Sequence, residues 1–195
     1  MGKHILIVQA HPDASQPHFC HALAQSYAQA ARAAGHEVRS VDVAALDFPL
    51  LRSKREWDTG ALPPALAPVQ DDILWAQHLV FFFPLWLGGM PALLKGFLEQ
   101  VARPGFALGR SREGRLPAKL LAGRSARLVV TMGMPALVFR WFFLAHSLKA
   151  LKRNILGFVG ISPVRDTLVG SVEGLTDATR SAWLRAMGEL GRVAG

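Results

Sequence analysis

Leu79-Val80-Phe81-Phe82-Phe83-Pro84-Leu85-Trp86-Leu87-Gly88-Gly89-Met90-Pro91 is the stretch that decides the fold. Its first five residues carry no polar side chain and no alternation, the pattern of a strand buried on both faces of a parallel sheet. Pro84 ends the strand pattern, and Pro91 stands where the first turn of a helix tolerates proline. Leu93, Leu94, Phe97, Leu98 and Val101 then recur at helical spacing. Between the prolines, Gly88-Gly89 removes side chains, so that main-chain N–H groups can approach a ligand closely. A central strand that runs through such a loop into a helix is half of a βαβ unit. In an open α/β sheet the ligand side is the carboxyl end of the strands.

The same alternation extends in both directions. Ile5-Leu6-Ile7-Val8 reads as a first buried strand, residues 19–34 as a helix closed by Gly35, and residues 37–43 as a second strand. Residues 48–64, rich in Pro and charge, read as a long surface excursion, and residues 68–77 as a helix feeding the central strand. Downstream lie a Gly-rich basic loop at 104–123, a strand at 126–131, an aromatic helix at 137–151, a strand at 164–168 and a last helix at 176–192. Strands alternating with helices predict one open parallel sheet with helices on both faces, and no composition break divides residues 1–195 into more than one domain.

Composition agrees. With 51% hydrophobic and 18% charged residues the chain is globular, and at 195 residues it buries roughly 70% of its unfolded surface without staples. Cys20 is the only cysteine, which excludes an intrachain disulfide and a Cys-rich zinc cluster and favours a reducing compartment. The apolar run at 79–87 is far short of a bilayer span, and the first residues lack a signal-peptide core, so a soluble, cytoplasmic protein is expected. The net charge of +8 is concentrated: residues 95–153 hold 12 basic and 2 acidic side chains. That stretch suits a solvated basic face or the attraction of an anionic small molecule. No helix-turn-helix, zinc finger or aromatic-interleaved RNA motif accompanies it, so no nucleic-acid partner is expected.

The chemistry should lie just after each strand. After the first comes Ala10-His11-Pro12-Asp13-Ala14-Ser15, which is neither a dinucleotide-binding G-x-G-x-x-G turn nor a P-loop. His11, Ser15 and His18 can each donate a hydrogen bond to a phosphate oxygen at the start of a helix. The plainer alternative is a Ser15 helix cap with two exposed histidines. After the third strand, apolar Leu85, Trp86 and Leu87 beside open backbone amides suit a flat ring with acceptors on its edges. An isoalloxazine is such a ring; a tight turn around a core tryptophan is the alternative. After the fourth strand, Thr131-Met132-Gly133-Met134 again sets a hydroxyl beside a glycine. Phe139, Trp141, Phe142 and Phe143 then crowd one segment and must be buried in a core, a subunit interface or against a ring-shaped ligand.

Ala10-His11-Pro12, Gly35-His36-Glu37-Val38, Phe83-Pro84-Leu85-Trp86, Pro91-Ala92-Leu93-Leu94-Lys95-Gly96-Phe97 and Pro104-Gly105-Phe106-Ala107 occur in the order and spacing of a known family. From residue 3 to about residue 175 the chain resembles the flavodoxin-like NAD(P)H:quinone oxidoreductases, the DT-diaphorase and potassium-efflux ancillary flavoprotein type. The resemblance implies a five-stranded parallel sheet of order 2-1-3-4-5 and a homodimer with a flavin near the subunit boundary. FAD is expected, with FMN the alternative, and NAD(P)H as co-substrate. Carried over by position, His11, His18, Phe19 and Cys20 lie by the phosphates. Pro84, Leu85, Trp86 and Leu87 line the ring, and Thr131, Met132, Gly133 and Met134 its other edge; no metal is implied. Where many members carry a second aromatic this chain has Leu87. Phe139 stands where better-known members have a catalytic tyrosine, which leaves His146 as the candidate to hold or protonate the reduced product. The expected activity is ping-pong reduction of quinones or similar flat electrophiles. The alternative is a regulatory subunit that makes peripheral contact with a cation-efflux transporter in the membrane.

Overall fold

The computed structural model describes residues 2–109 and 117–195. Five parallel strands, β1 (His4–Gln9), β2 (Glu37–Asp42), β3 (His78–Pro84), β4 (Ser125–Thr131) and β5 (Val164–Val169), form one sheet in the order β2-β1-β3-β4-β5. Between and after them run helices α1 (Phe19–Ala33), α2 (Lys54–Thr59), α3 (Ala67–Trp75), α4 (Ala92–Val101), α5 (His146–Ala150) and α6 (Asp177–Arg192). All seven residues of β3 are buried, as its unbroken apolar sequence requires.

The pleat divides β3 between two cores. Val80 and Phe82 join Ile5, Ile7 and Val129 against Leu23 and Tyr27 of α1 and Met187 of α6. Leu79, Phe81 and Phe83 join Leu6, Val8, Leu128 and Val130 against Ile73 of α3, Leu94 and Phe97 of α4, and Leu148 of α5. Each large apolar side chain so buried contributes roughly 1.5–3 kcal/mol. On the first face α6 crosses α1 closely: a Cβ built on Gly191 would meet the Tyr27 carbonyl oxygen at 2.2 Å. Among the described residues no helix is long and apolar enough to cross a membrane.

Two segments differ from the sequence expectation. The excursion at 48–64 contains α2, because Ser53 caps its first turn. Ser53 accepts from the Glu56 N–H at 3.1 Å, and the Glu56 carboxylate accepts from the Arg52 N–H at 2.9 Å. The excursion is fastened to α4. Fully buried Gln100 donates to the Pro49 carbonyl at 2.6 Å, and Arg103 donates to those of Gly60 and Ala61 at 2.7 and 2.9 Å. Gly96, part of the Leu-Leu-Lys-Gly run, leaves room for Leu50, whose Cδ2 lies 2.6 Å from where a Cβ would be.

The single aromatic helix expected at 137–151 is broken. Val138–Phe142 forms a wide π turn; Leu144 and Ala145 then take left-handed backbone angles (φ 53° and 47°) before α5, which widens again over Leu151–Leu156. The break leaves Phe139 and Leu148 facing inward, and Trp141 and Phe142 facing solvent at 73% and 78% exposure. Arg140 and Lys152 both hold Asp166 of β5, at 2.8 and 2.5 Å.

The α1–α6 crossing yields a pair of opposite expectations. Alanine exceeds glycine in helix propensity by about 1 kcal/mol, but at 191 the added methyl collides with backbone. Gly191→Ala should therefore lose about 2 kcal/mol. Gly188→Ala, whose Cβ would meet only Ala30 and Ser26 side chains at 3.6 and 3.7 Å, should be neutral or gain up to about 1 kcal/mol. Urea midpoints at unchanged m-value check both.

Candidate functional site

All five strands run the same way, so the loops that leave β1, β3, β4 and β5 open on one edge of the sheet. They enclose a cleft of about 300 Å³. His11, His18, Phe19 and Cys20 line it from the β1 side, Pro84, Leu85 and Trp86 from β3, and Thr131, Met132 and Gly133 from β4. The sequence reading missed two further walls, Val172 and Glu173 from the loop after β5. Only the position of Glu173 beyond a strand end could have marked it.

The β1 loop is organised by a carboxylate. Asp13 accepts from the Ser15 N–H at 2.8 Å, the Ser15 hydroxyl at 2.5 Å, the Gln16 amide at 3.2 Å and His18 Nε2 at 2.8 Å. The Ser15 hydroxyl, followed by His18, holds the Asp13 carboxyl well below the usual carboxylate range. Ser15 is therefore no helix cap; His18 occupies that position. The His18 ring stacks on His11 with centroids 3.8 Å apart and planes 20° from parallel, and His21, one turn into α1, lies 5.3 and 5.6 Å from the two. His11 Nδ1 lies 3.2 Å from the Asp13 N–H and 3.1 Å from the Asp13 carbonyl, so it has a partner in either tautomer, while the His18 N–H donates to His21 Nδ1 at 3.0 Å and leaves the His21 proton on Nε2. Burial first, and then the neighbouring His18, lowers the pKa of each below the ordinary histidine value. The first N–H groups of α1 have no intrahelical acceptor, and together with these rings they form a donor-rich end of the cleft. Among the described residues no cluster of His, Cys, Asp and Glu is arranged to hold a metal.

The β3 loop makes the apolar wall. Leu85 N–H donates to the Thr131 carbonyl at 2.7 Å, and Trp86 and Gly89 exchange two backbone hydrogen bonds at 2.9 and 3.0 Å. Leu87 and Gly88 between them both have positive φ, 47° and 76°, which is a type I′ turn. Trp86, half-exposed, meets His11 edge-on with centroids 6.0 Å apart. Behind this loop stands α5: the Ser147 Cβ lies 3.8 Å from where a Gly89 Cβ would be. At the far wall, Thr131 is buried beside the Cys20 thiol. Burial pushes that thiol up to about 12, so it stays protonated at neutral pH and is no nucleophile. Gly133 leaves the Glu173 carboxylate, 3.5 Å from its would-be Cβ, open to the cleft.

Four expected site residues stand elsewhere. Leu87 is at the tip of the turn and fully exposed, because left-handed backbone turns its side chain away from the cleft. Met134 packs, partly buried, against the core of the α3–α5 face. Phe139 is buried in that same core and lines a small internal cavity with Leu85 and Met90, away from the cleft lining. His146 is exposed at the start of α5, outside the cleft lining but next to Ser147 and hence to the Gly88-Gly89 turn. The basic stretch is also not where the cleft is: none of the residues lining it is a lysine or arginine, and Arg110, Arg112 and Arg115 lie outside the described residues.

Known proteins match this arrangement. A family model described as flavodoxin-like fold matches residues 3–190. A Haemophilus influenzae protein named as an uncharacterized NAD(P)H oxidoreductase is 28% identical over 183 residues, 92% of this chain and 89% of its own. FMN-dependent NADH:quinone oxidoreductase 2 of Listeria innocua is 29% identical over 145 residues, 69% of this chain and 67% of its own. The crystal structure of Smu.1420 from Streptococcus mutans superposes with a TM-score of 0.78 at 30% identity, covering 97% of this chain and 98% of that one. Sheet order and the match over nearly the whole length agree, and the chain belongs to the flavodoxin-like fold family.

Proposed function

We propose that the chain is an FMN-dependent NAD(P)H:quinone oxidoreductase acting as a homodimer. The observation that carries this reading is the two-sided cleft: the apolar Leu85–Trp86 wall beside an open backbone turn at one end, and imidazole and helix-start donors at the other. Such a cleft fits a molecule with a flat ring and a phosphate. FMN replaces the FAD expected from sequence, because a relative matched over two thirds of this chain is named for FMN. The oxidoreductase names of the relatives likewise favour this reading over a transporter subunit.

When bound, FMN supplies hydride acceptance from NAD(P)H and donation to a quinone, in a ping-pong sequence. The chain's own residues do the rest. Leu85 and Trp86 exclude water from the ring face, and backbone amides of the β3 loop are available to hold negative charge at its edge. His11, His18 and the start of α1 hold the phosphate, and Glu173 accepts hydroxyl hydrogens of the linker. Phe139 has no proton to give. His146, beside the Gly88-Gly89 turn, is assigned to the substrate side, where its ring holds or protonates a quinone oxygen. The exposed apolar rim of Leu137, Trp141, Phe142 and Phe143 is assigned to the second subunit, which covers it and completes the mouth of the cleft.

Three measurements test this. Protein reconstituted with FMN should be yellow and should oxidise NADH or NADPH much faster once a quinone is added; failure to take up FMN ends the proposal. His146→Ala should keep its flavin and its bleaching by NADPH while reoxidation by quinone slows about tenfold or more, an outcome stopped-flow absorbance reads directly. Light scattering should give a dimer mass for the native chain and a monomer mass for a Trp141→Glu, Phe142→Glu double variant with unchanged far-UV circular dichroism.

A further inference from the structure

The charges facing the donor-rich end of the cleft do not suit an anion. Asp13 sits beneath the His11–His18 stack, Asp42 of β2 faces His21, and Glu173 enters from the loop after β5. Arg180 of α6 lies over the Phe19 ring at 5.1 Å and donates to the carbonyls of Val172 and Leu175 at 2.8 and 3.3 Å; it keeps its charge but does not line the cleft. No lysine or arginine lines the cleft among the described residues, and the Cys20 thiol stays neutral. With neutral histidines, a phosphate dianion would therefore meet three carboxylates and, among the described residues, no cation in the cleft lining. The only side chains able to change that balance near neutral pH are the stacked histidines.

We propose that His18 takes up one proton from solvent when a phosphate monoester docks, so that phosphate binding and protonation of the His11–His18 stack are a single event. This rests on the flavin reading above. His18 is the ring that takes the proton because its Nε2 already faces the Asp13 carboxylate at 2.8 Å, so the imidazolium has a counterion in place. His21 is the poorer acceptor because its Nδ1 already accepts the His18 N–H, and burial holds both His11 and His21 below the ordinary histidine value. The 3.8 Å stack also sets a limit of one, since a second charge in it would face the first across van der Waals distance. A single imidazolium, held between Asp13 and the phosphate, replaces the lysine or arginine that the cleft lacks.

The sign follows. The bound form carries one proton more than the free form, so affinity falls as pH rises over the range in which that proton is taken up, by up to about tenfold per pH unit. The ligand's own ionisation acts the other way. The second phosphate pKa is near about 6, so a site of fixed positive charge would bind more tightly as pH rises.

The test is the dissociation constant of the full chain for FMN and, separately, for riboflavin, read by flavin fluorescence from about pH 6.5 to 8.5. FMN should weaken steeply with pH while riboflavin, which has no phosphate, stays flat. Calorimetry in two buffers of different ionisation enthalpy should give uptake of about one proton for FMN. In His18→Asn, which keeps an N–H donor toward Asp13, FMN should bind more weakly at pH 6.5 with a flat profile, and unchanged riboflavin affinity shows that the cleft is intact. An FMN profile that is flat, that rises with pH, that riboflavin shares, or that survives in His18→Asn overturns the inference while leaving the flavin reading standing. Binding of neither flavin at any pH overturns both.

Discussion

Everything functional in this protein depends on β3 being buried on both faces. A strand with no exposed side belongs at the centre of a parallel sheet, and a parallel sheet needs a crossover after every strand. The crossovers use up the helices, α1 and α6 on one face and α3, α4 and α5 on the other, and leave the carboxyl ends of the strands free at one edge. The cleft is therefore a product of topology before it is a product of any particular side chain. Phe81, Phe82 and Phe83, which never touch a ligand, determine where a ligand can sit.

The loops at that edge divide the work by composition. The β3 loop is hydrophobic and closed on itself by the Trp86–Gly89 pair of backbone hydrogen bonds. The β1 loop is polar and organised around Asp13, which gathers four donors from a short run of chain. One loop provides a surface and the other a set of protons, and neither would form a site alone. The anchors of the excursion, Gln100 and Arg103, secure the outer face of α4 without entering this edge, and that separates the long surface segment from the chemistry.

The strands were readable in the sequence because their signals are local: an aliphatic run at 5–8, another at 79–83, and prolines and glycines at the junctions; their order came from the family resemblance, since local runs do not say which strands pair. The walls of the cleft from β1, β3 and β4 were readable for the same reason, since position after a strand is itself the signal. What was hidden depended on backbone angles or on distant partners. The left-handed residues Leu144 and Ala145, which break the aromatic segment and turn Phe139 into core, carry no glycine or asparagine to announce them. Leu87 is expected at the ring from its apolar neighbours and from the resemblance, and neither announces the type I′ turn that points it outward. Glu173 reaches the cleft only because β5 is placed beside β4, a tertiary fact. Asp13 was visible as a residue, but its hold on His18 was not, because the pairing depends on how the loop folds back onto the start of α1.

Leu87 holds a left-handed backbone that glycine or asparagine would adopt with less strain, roughly 1–3 kcal/mol less, and its side chain touches nothing in the subunit. The tip of the β3 turn thus carries two local costs at once, a strained backbone and an apolar side chain surrounded by water.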